Sequence, residues 1–278
     1  MTSAASTPAA VPLRGGSIDL PTGVRLHYVA RGPAERMPVI LLHGYSDSSF
    51  SWSRVLPLLD PALHLVAPDQ RGHGRSSRAA AYPLDDLAAD VLALMDALGL
   101  ARAVLVGHSM GSFVAQRAAL AAPARVAGLG LVGSGHRIAT FAGIDELAAA
   151  VRALPDPVPV DFIRGFQESS VHVPVPAAFM DAVVAESARL DAATWRGVMA
   201  GMLATPAASG LGALGIPTWL AWGDHDTLAP RSEREALARL VGRHERTDYA
   251  DTGHTPQWER PEMFARDLEG FVENVACR

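Results

Sequence analysis

Val104-Leu105-Val106-Gly107-His108-Ser109-Met110-Gly111 runs from a short apolar stretch into a helical stretch that stops at Pro123. A strand that ends in Gly-x-Ser-x-Gly and turns directly into a helix holds its serine at the apex of a tight bend, where both flanking positions lack room for a side chain. The residue after the serine opens the helix, so its amide has no acceptor within the helix and is free to face an anion. The pattern predicts Ser109 as a nucleophile and the Met110 N–H as one donor of an oxyanion hole.

Outward from that segment, short β-rich runs alternate with helical periods. Ser17 to Leu20 and Arg25 to Arg31 read as a hairpin around Pro21-Thr22-Gly23. Val39 to Leu42, His64 to Pro68, Ala103 to Val106 and Val126 to Val132 are short, apolar and closed by polar or glycine-rich turns, as buried strands are. Leu87, Val91, Leu94, Met95 and Leu98 recur at helical spacing, with Asp85 and Asp86 at the start and Gly99 at the stop, which predicts a crossover helix. The whole predicts an α/β fold with a mostly parallel central sheet flanked by helices.

The alternation breaks after Val132 and resumes only at Pro217 to Trp222. Between them, Leu147 to Leu154, Phe162 to Gln167, Ala177 to Leu190 and Ala192 to Leu203 carry helical periods, separated by breaks such as Pro155-Asp156-Pro157 and Pro174-Val175-Pro176. We expect a helical lid over residues 136–212, inserted between two parts of one core domain, 15–135 and 213–278. Glu245 to Ala250 reads as a further strand, and Phe264, Leu268, Phe271 and Val272 mark a closing amphipathic helix. Residues 1–14, mostly Ala, Ser, Thr and Pro, read as a flexible tail without the apolar core of a signal peptide.

Composition narrows the chemistry. With 49% apolar and 19% charged residues in 278 positions, there is ample material for a core and no run long and apolar enough to span a bilayer. A net charge of −5 lacks the basic excess that a nucleic-acid partner demands. All 24 basic residues are arginine, and the absence of lysine excludes a Schiff base, a pyridoxal-phosphate anchor, a Ser-Lys dyad and a P-loop. The lone cysteine, Cys277, allows no intrachain disulfide, and together with the absence of an export signal this predicts a cytoplasmic protein. No heptad or isolated apolar edge announces an oligomer interface.

A second oxyanion donor is needed, and His43-Gly44-Tyr45 leaves the strand Val39 to Leu42 beside the serine turn; the Tyr45 N–H is the candidate. In order along the chain, Leu42-His43-Gly44, Asp69-Gln70-Arg71-Gly72-His73-Gly74-Arg75-Ser76, the Ser109 turn, Gly223-Asp224-His225-Asp226 and Gly253-His254 resemble the motif set of the α/β-hydrolase superfamily, over roughly residues 16 to 275. The likeness is strongest to its esterase, lactonase and cofactor-free haloperoxidase-like branch. Epoxide hydrolases and haloalkane dehalogenases resemble the chain at Asp69 to Ser76, but they carry an aspartate where this chain has Ser109.

The resemblance implies a general base after the last strand, where Gly253-His254 lies, and an acid at the fourth residue of a Gly-x-x-Asp turn, which is Asp226; Asp224 would support the turn. Ser109, Asp226 and His254 then form a triad in the superfamily's chain order. No cofactor is required. Asp69 to Ser76 reads as scaffold, since no H-E-x-x-H or cysteine pair accompanies its histidine to make a metal site.

The expected activity is hydrolysis of a carboxylic ester, a small to medium apolar ester or a lactone, through an acyl-enzyme. Perhydrolase or haloperoxidase-like chemistry and C–C bond cleavage run on similar triads. A ligand-sensing receptor, as some plant hormone sensors of this fold are, is the rival from another class. His108 and, in the lid, Phe141, Phe162, Phe166, Trp195 and Met199 are the expected substrate-facing residues.

Overall fold

A computed structural model describes residues 12–277. Most of the expected tail lies outside the described residues, and its last residue, Arg14, already pairs with Ala30 in the first strand. Eight strands form one sheet: β1 (Arg14–Asp19), β2 (Arg25–Arg31), β3 (Pro38–Leu42), β4 (His64–Pro68), β5 (Ala103–His108), β6 (Val126–Val132), β7 (Thr218–Gly223) and β8 (Glu245–Tyr249). Their spatial order is β1-β2-β4-β3-β5-β6-β7-β8. β2 runs antiparallel to both its neighbours, and every pair from β4 to β8 is parallel.

The centre of the sheet is buried on both faces because β3 to β7 are almost wholly apolar, and successive side chains point to opposite sides. Ile40, Leu42, Leu105 and Leu131 join one cluster with α1 (Leu84–Ala97) and α2 (Met110–Ala121). Val39, Leu41, Val104 and Val106 join another with Trp52 and the helix α9 (Pro261–Ala276). Each fully buried side chain of this kind contributes about 1.5–3 kcal/mol relative to exposure.

α1 follows the sequence expectation: Leu84, Leu87, Val91, Leu94 and Met95 form its buried stripe. It ends where Gly99 takes a φ of 68°, with the Gly99 amide bonded to Asp96 O and the Leu100 amide to Met95 O. Arg71 anchors its other end, with Nε and Nη2 on the two Asp90 carboxylate oxygens (2.6 and 2.8 Å) and Nη1 on Asp86 (3.0 Å). That cluster gives Arg71 a structural role, as the scaffold reading of its segment anticipates.

Between β6 and β7 lie α3 (Ile144–Arg152), α4 (Val160–Glu168), α5 (Ala177–Ser187) and α6 (Ala192–Ala204). Val151, Ile163, Val184, Trp195 and Met202 from these helices belong to the same buried cluster as α1 and α2. After β7 comes α7 (Arg231–Val241), which the apolar pattern does not announce because only Leu237 and Val241 are buried on it. One turn of helix, α8 (Pro256–Glu259), separates the loop after β8 from α9. The parallel strands all end at one edge, so the loops after β3, β5, β6, β7 and β8 gather there.

Candidate active site

At the end of β5 the backbone of Ser109 has φ 49° and ψ −119°, a sparsely populated conformation that costs a non-glycine residue about 1–3 kcal/mol. The turn is fixed by the Ser109 amide on Val132 O of β6 (2.9 Å) and by Ser112 Oγ on Ser109 O (2.6 Å). A Cβ at Gly107 would overlap the Gly111 carbonyl, and one at Gly111 would overlap the carbonyl of Leu42 on β3. Both glycines are therefore required by close backbone approach. Ser109 is half-buried, whereas the residues on either side of it are buried.

The turn after β7 and the loop after β8 bring Asp226 and His254 together, with His254 Nδ1 2.9 Å from Asp226 Oδ2 and both side chains buried. Asp226 Oδ1 accepts the Leu228 and Ala229 amides at 2.9 and 3.0 Å. Burial alone would raise this carboxyl, but the His254 ring and the two amides outweigh it and hold Asp226 below the ordinary carboxylate range. A carboxylate only accepts, so the ring hydrogen sits on Nδ1 and leaves Nε2 with a free lone pair in the neutral imidazole. Asp224 is exposed and bonds instead to His225 Nδ1 (2.7 Å) and the Thr252 amide (3.2 Å).

His254 is also held from behind. A Cβ at Gly133 would stand 3.0 Å from the His254 Cε1, so the bare glycine lets the ring lie against the end of β6. The His254 amide donates to Ser170 O (2.8 Å), and its carbonyl accepts His108 Nε2 (3.0 Å). Burial, with the nearby His254 ring, drives His108 down to about 3, so His108 is neutral with its hydrogen on Nε2. Among the described residues no hydrogen bond joins the Ser109 hydroxyl to the His254 ring, yet both side chains line one cavity. Such bonds commonly tighten only when substrate is bound.

The loop after β3 supplies the facing wall. Gln70 N donates to His43 Nε2 (2.9 Å), so His43 Nδ1 carries the hydrogen and donates to Gly44 O (2.9 Å). In a trans peptide C=O and N–H point in opposite directions, and fixing the Gly44 carbonyl on His43 turns the Tyr45 N–H the other way. Gly44, Tyr45 and Met110 line the same cavity as Ser109. Neither the Tyr45 nor the Met110 amide has a hydrogen-bond acceptor among the described residues. Sequence reasoning missed His43 and Gln70; both lie in quoted motifs, but a buried histidine whose ring bonds backbone has no local signature.

The cavity measures about 460 Å3, and its walls are chiefly apolar, including Phe141, Phe162, Phe166, Met202 and Trp258. Phe141, Phe162, Phe166 and His108 line it. Trp195 and Met199 do not, which corrects the expectation. Trp195 is fully buried behind the wall, with its ring 5.0 Å from Tyr45, 5.7 Å from Phe162 and 5.6 Å from Phe166, and Met199 packs in the same cluster. Two buried carboxyl groups at the site were not anticipated: Asp47 in the cavity wall and Glu259 behind His254. Among the described residues no cluster of His, Cys, Asp and Glu is suited to hold a metal ion, and no helix is long and apolar enough to cross a membrane.

Residues 37–206 match the family described as alpha/beta hydrolase fold. A candidate carbamate hydrolase from Variovorax paradoxus is 31% identical over 262 residues, covering 91% of this chain and 97% of its own. Epoxide hydrolase A from Mycobacterium tuberculosis is 44% identical over 109 residues, which is 38% of this chain and only 34% of that protein. The crystal structure of a candidate aryl esterase from Burkholderia cenocepacia has a TM-score of 0.87 and 28% identity, covering 95% of this chain and 100% of its own. The chain belongs to the α/β-hydrolase fold family.

Proposed function

We propose that the protein is a serine hydrolase that cleaves a carboxylic ester, a small to medium apolar ester or lactone, through an acyl-enzyme. The observation that carries this reading is the half-buried Ser109, held in a strained turn, in one cavity with His254, whose ring bonds the buried Asp226. His254 Nε2 takes the Ser109 proton as the oxygen attacks the substrate carbonyl. The Tyr45 and Met110 amides hold the oxyanion that forms. Collapse of the tetrahedral intermediate breaks the ester bond, and His254 returns the proton to the leaving alcohol. Water, deprotonated by the same nitrogen, then attacks the acyl group and frees Ser109. Asp226 orients the ring and stabilises its cation.

The relatives' names span carbamate, epoxide and aryl ester cleavage. A serine at the turn favours acyl transfer over epoxide opening, which in the resembling enzymes uses an aspartate there. Helices α3 to α6 serve as the lid, and Phe141, Phe162 and Phe166 give the cavity its apolar preference. The test is steady-state hydrolysis of p-nitrophenyl esters of increasing acyl length by the wild type and Ser109→Ala. The reading expects a rate that depends on chain length and falls about 10^4-fold or more in the variant. Equal rates from the two proteins would overturn it.

A further inference from the structure

Glu259 ends α8 and its carboxylate is buried. Among the described residues its donors are the amides of His172 and Val173 (2.8 Å each, to Oε2), the amide of Gly253 (2.9 and 3.0 Å, to both oxygens) and the hydroxyl of Thr255 (3.2 Å, to Oε1). The first two donors lie in the link between α4 and α5. The other two are the residues on either side of His254. One carboxylate thus grips the chain before and after the ring and ties both to the insertion.

The neighbouring contacts fit the same purpose. A Cβ at Gly253 would stand 2.6 Å from the His172 nitrogen and 2.9 Å from Ser170 O, so the glycine lets the two backbones touch. The His254 amide closes that contact by donating to Ser170 O at 2.8 Å. A buried carboxylate is tolerated only where its lone pairs are filled, and hydrogen bonds to a charged acceptor are about twice as strong as neutral ones. Four donors converge on one side chain at the residue pair that brackets His254.

We infer that Glu259 is a positioning residue for His254, acting by clamping the peptides on both sides of that ring to segment 170–173 of the insertion. The inference rests on the Ser109 hydrolase reading. Its consequence is that the insertion is fastened at this edge and that displacing segment 170–173 displaces the base. Because proton transfer is sensitive to misplacements of about 1 Å, at a cost of about 10^2-fold, the effect falls on the chemical step and not on substrate affinity.

The experiment uses the full chain with Glu259→Gln and Thr255→Val. In the first, one carboxylate oxygen becomes an NH2 group facing N–H donors that it cannot accept; in the second, only the Thr255 hydroxyl is lost. Two readouts are taken at a temperature where each variant is folded by circular dichroism: kcat and KM on the best p-nitrophenyl ester, and the low-field proton resonance of His254 Nδ1–H, assigned by its loss in His254→Ala. Glu259→Gln is expected to lower kcat 10- to 100-fold with KM changed by less than about threefold, and to shift or broaden the resonance. Thr255→Val is expected to do the same by a few-fold. Unchanged kcat and resonance in a folded Glu259→Gln, or a rise in KM alone, overturns the inference; should that variant not fold, the same result in Thr255→Val does so. Failure of the underlying reading is separate: Ser109→Ala would then match the wild type on every ester, and the resonance would still report whether Glu259 holds the ring.

Discussion

Replacing Asp47 by asparagine should make the protein more stable at alkaline pH and leave it little changed in acid. Asp47 lies in the cavity wall, 4% exposed, with Gln167 Nε2 on Oδ1 (3.0 Å) and Ser51 Oγ on Oδ2 (3.3 Å). Burial raises its pKa from the ordinary 3.8 to about 7, and the bonds from Gln167 and Ser51 with the charge of His254 only partly offset that. The folded state therefore binds this proton more tightly than the unfolded chain. Relative stability is full below the unfolded value, falls as pH climbs from about 4 to about 7, and stays low above that. At about 1.4 kcal/mol per unit the whole rise amounts to about 4 kcal/mol. The carboxamide of Asp47→Asn would keep an oxygen for Gln167 and offer an NH2 to the Ser51 hydroxyl, without a charge at any pH. Urea unfolding of both proteins at pH 5 and pH 8 measures the gap, which should widen in favour of the variant by about 3 kcal/mol between them. A gap independent of pH, or one that moves toward the wild type as pH rises, refutes the reasoning.

Two further substitutions probe the site. In Asp226→Asn the Leu228 and Ala229 amides keep their oxygen, but the new NH2 must donate to His254 Nδ1 and so forces the ring hydrogen onto Nε2, the atom that has to accept the Ser109 proton; kcat on an ester should fall about 10^4-fold with KM within a few-fold, and a loss below tenfold would remove Asp226 from its assigned role. Gly107→Ala drives a methyl into the Gly111 carbonyl and the Ser112 amide, backbone that cannot swing aside; it should cost more than about 3 kcal/mol in urea unfolding, and a wild-type midpoint would show that the turn has room to relax.

What the sequence conveys and what it withholds divide along a physical line. Strands β3 to β7 are legible because they are buried on both faces and closed by turns, and the observed ends differ from the expected ones by a residue or two. The proposed site residues Ser109, Asp226 and His254 stand out in the sequence because each sits in a short motif in the turn or loop that follows a strand. α7 escapes because it is mostly charged and buries only Leu237 and Val241, too little apolar content to stand out beside the buried strands. Trp195 and Met199 show the limit of apolar periodicity within the insertion. It identifies residues that leave water, but a cavity wall and the packing behind it leave water alike. Asp47 and Glu259 escape for a different reason: beside their near-sequence donors they are held by Gln167, 120 positions away, and by His172, 87 positions away, partners that no local pattern announces.

The distribution of backbone strain supports the same site without reference to motifs. Among the described residues, the non-glycine positions with positive φ are Ser46 at 64°, Ser109 at 49° and Asp251 at 48°. They fall in the loops after β3, β5 and β8, which carry Tyr45, the serine itself and His254. Each such residue costs about 1–3 kcal/mol and persists only where its surroundings over-determine it. Here the surroundings include buried strand residues: Leu41 and Leu42 before the first loop, Val106 before the second, Tyr249 before the third. The three residues sit in the loops that carry the proposed site, and of them Ser109 itself lines the cavity. At Ser109 a glycine would relieve the strain but remove the hydroxyl, so the strain falls on the residue that the proposed reaction uses.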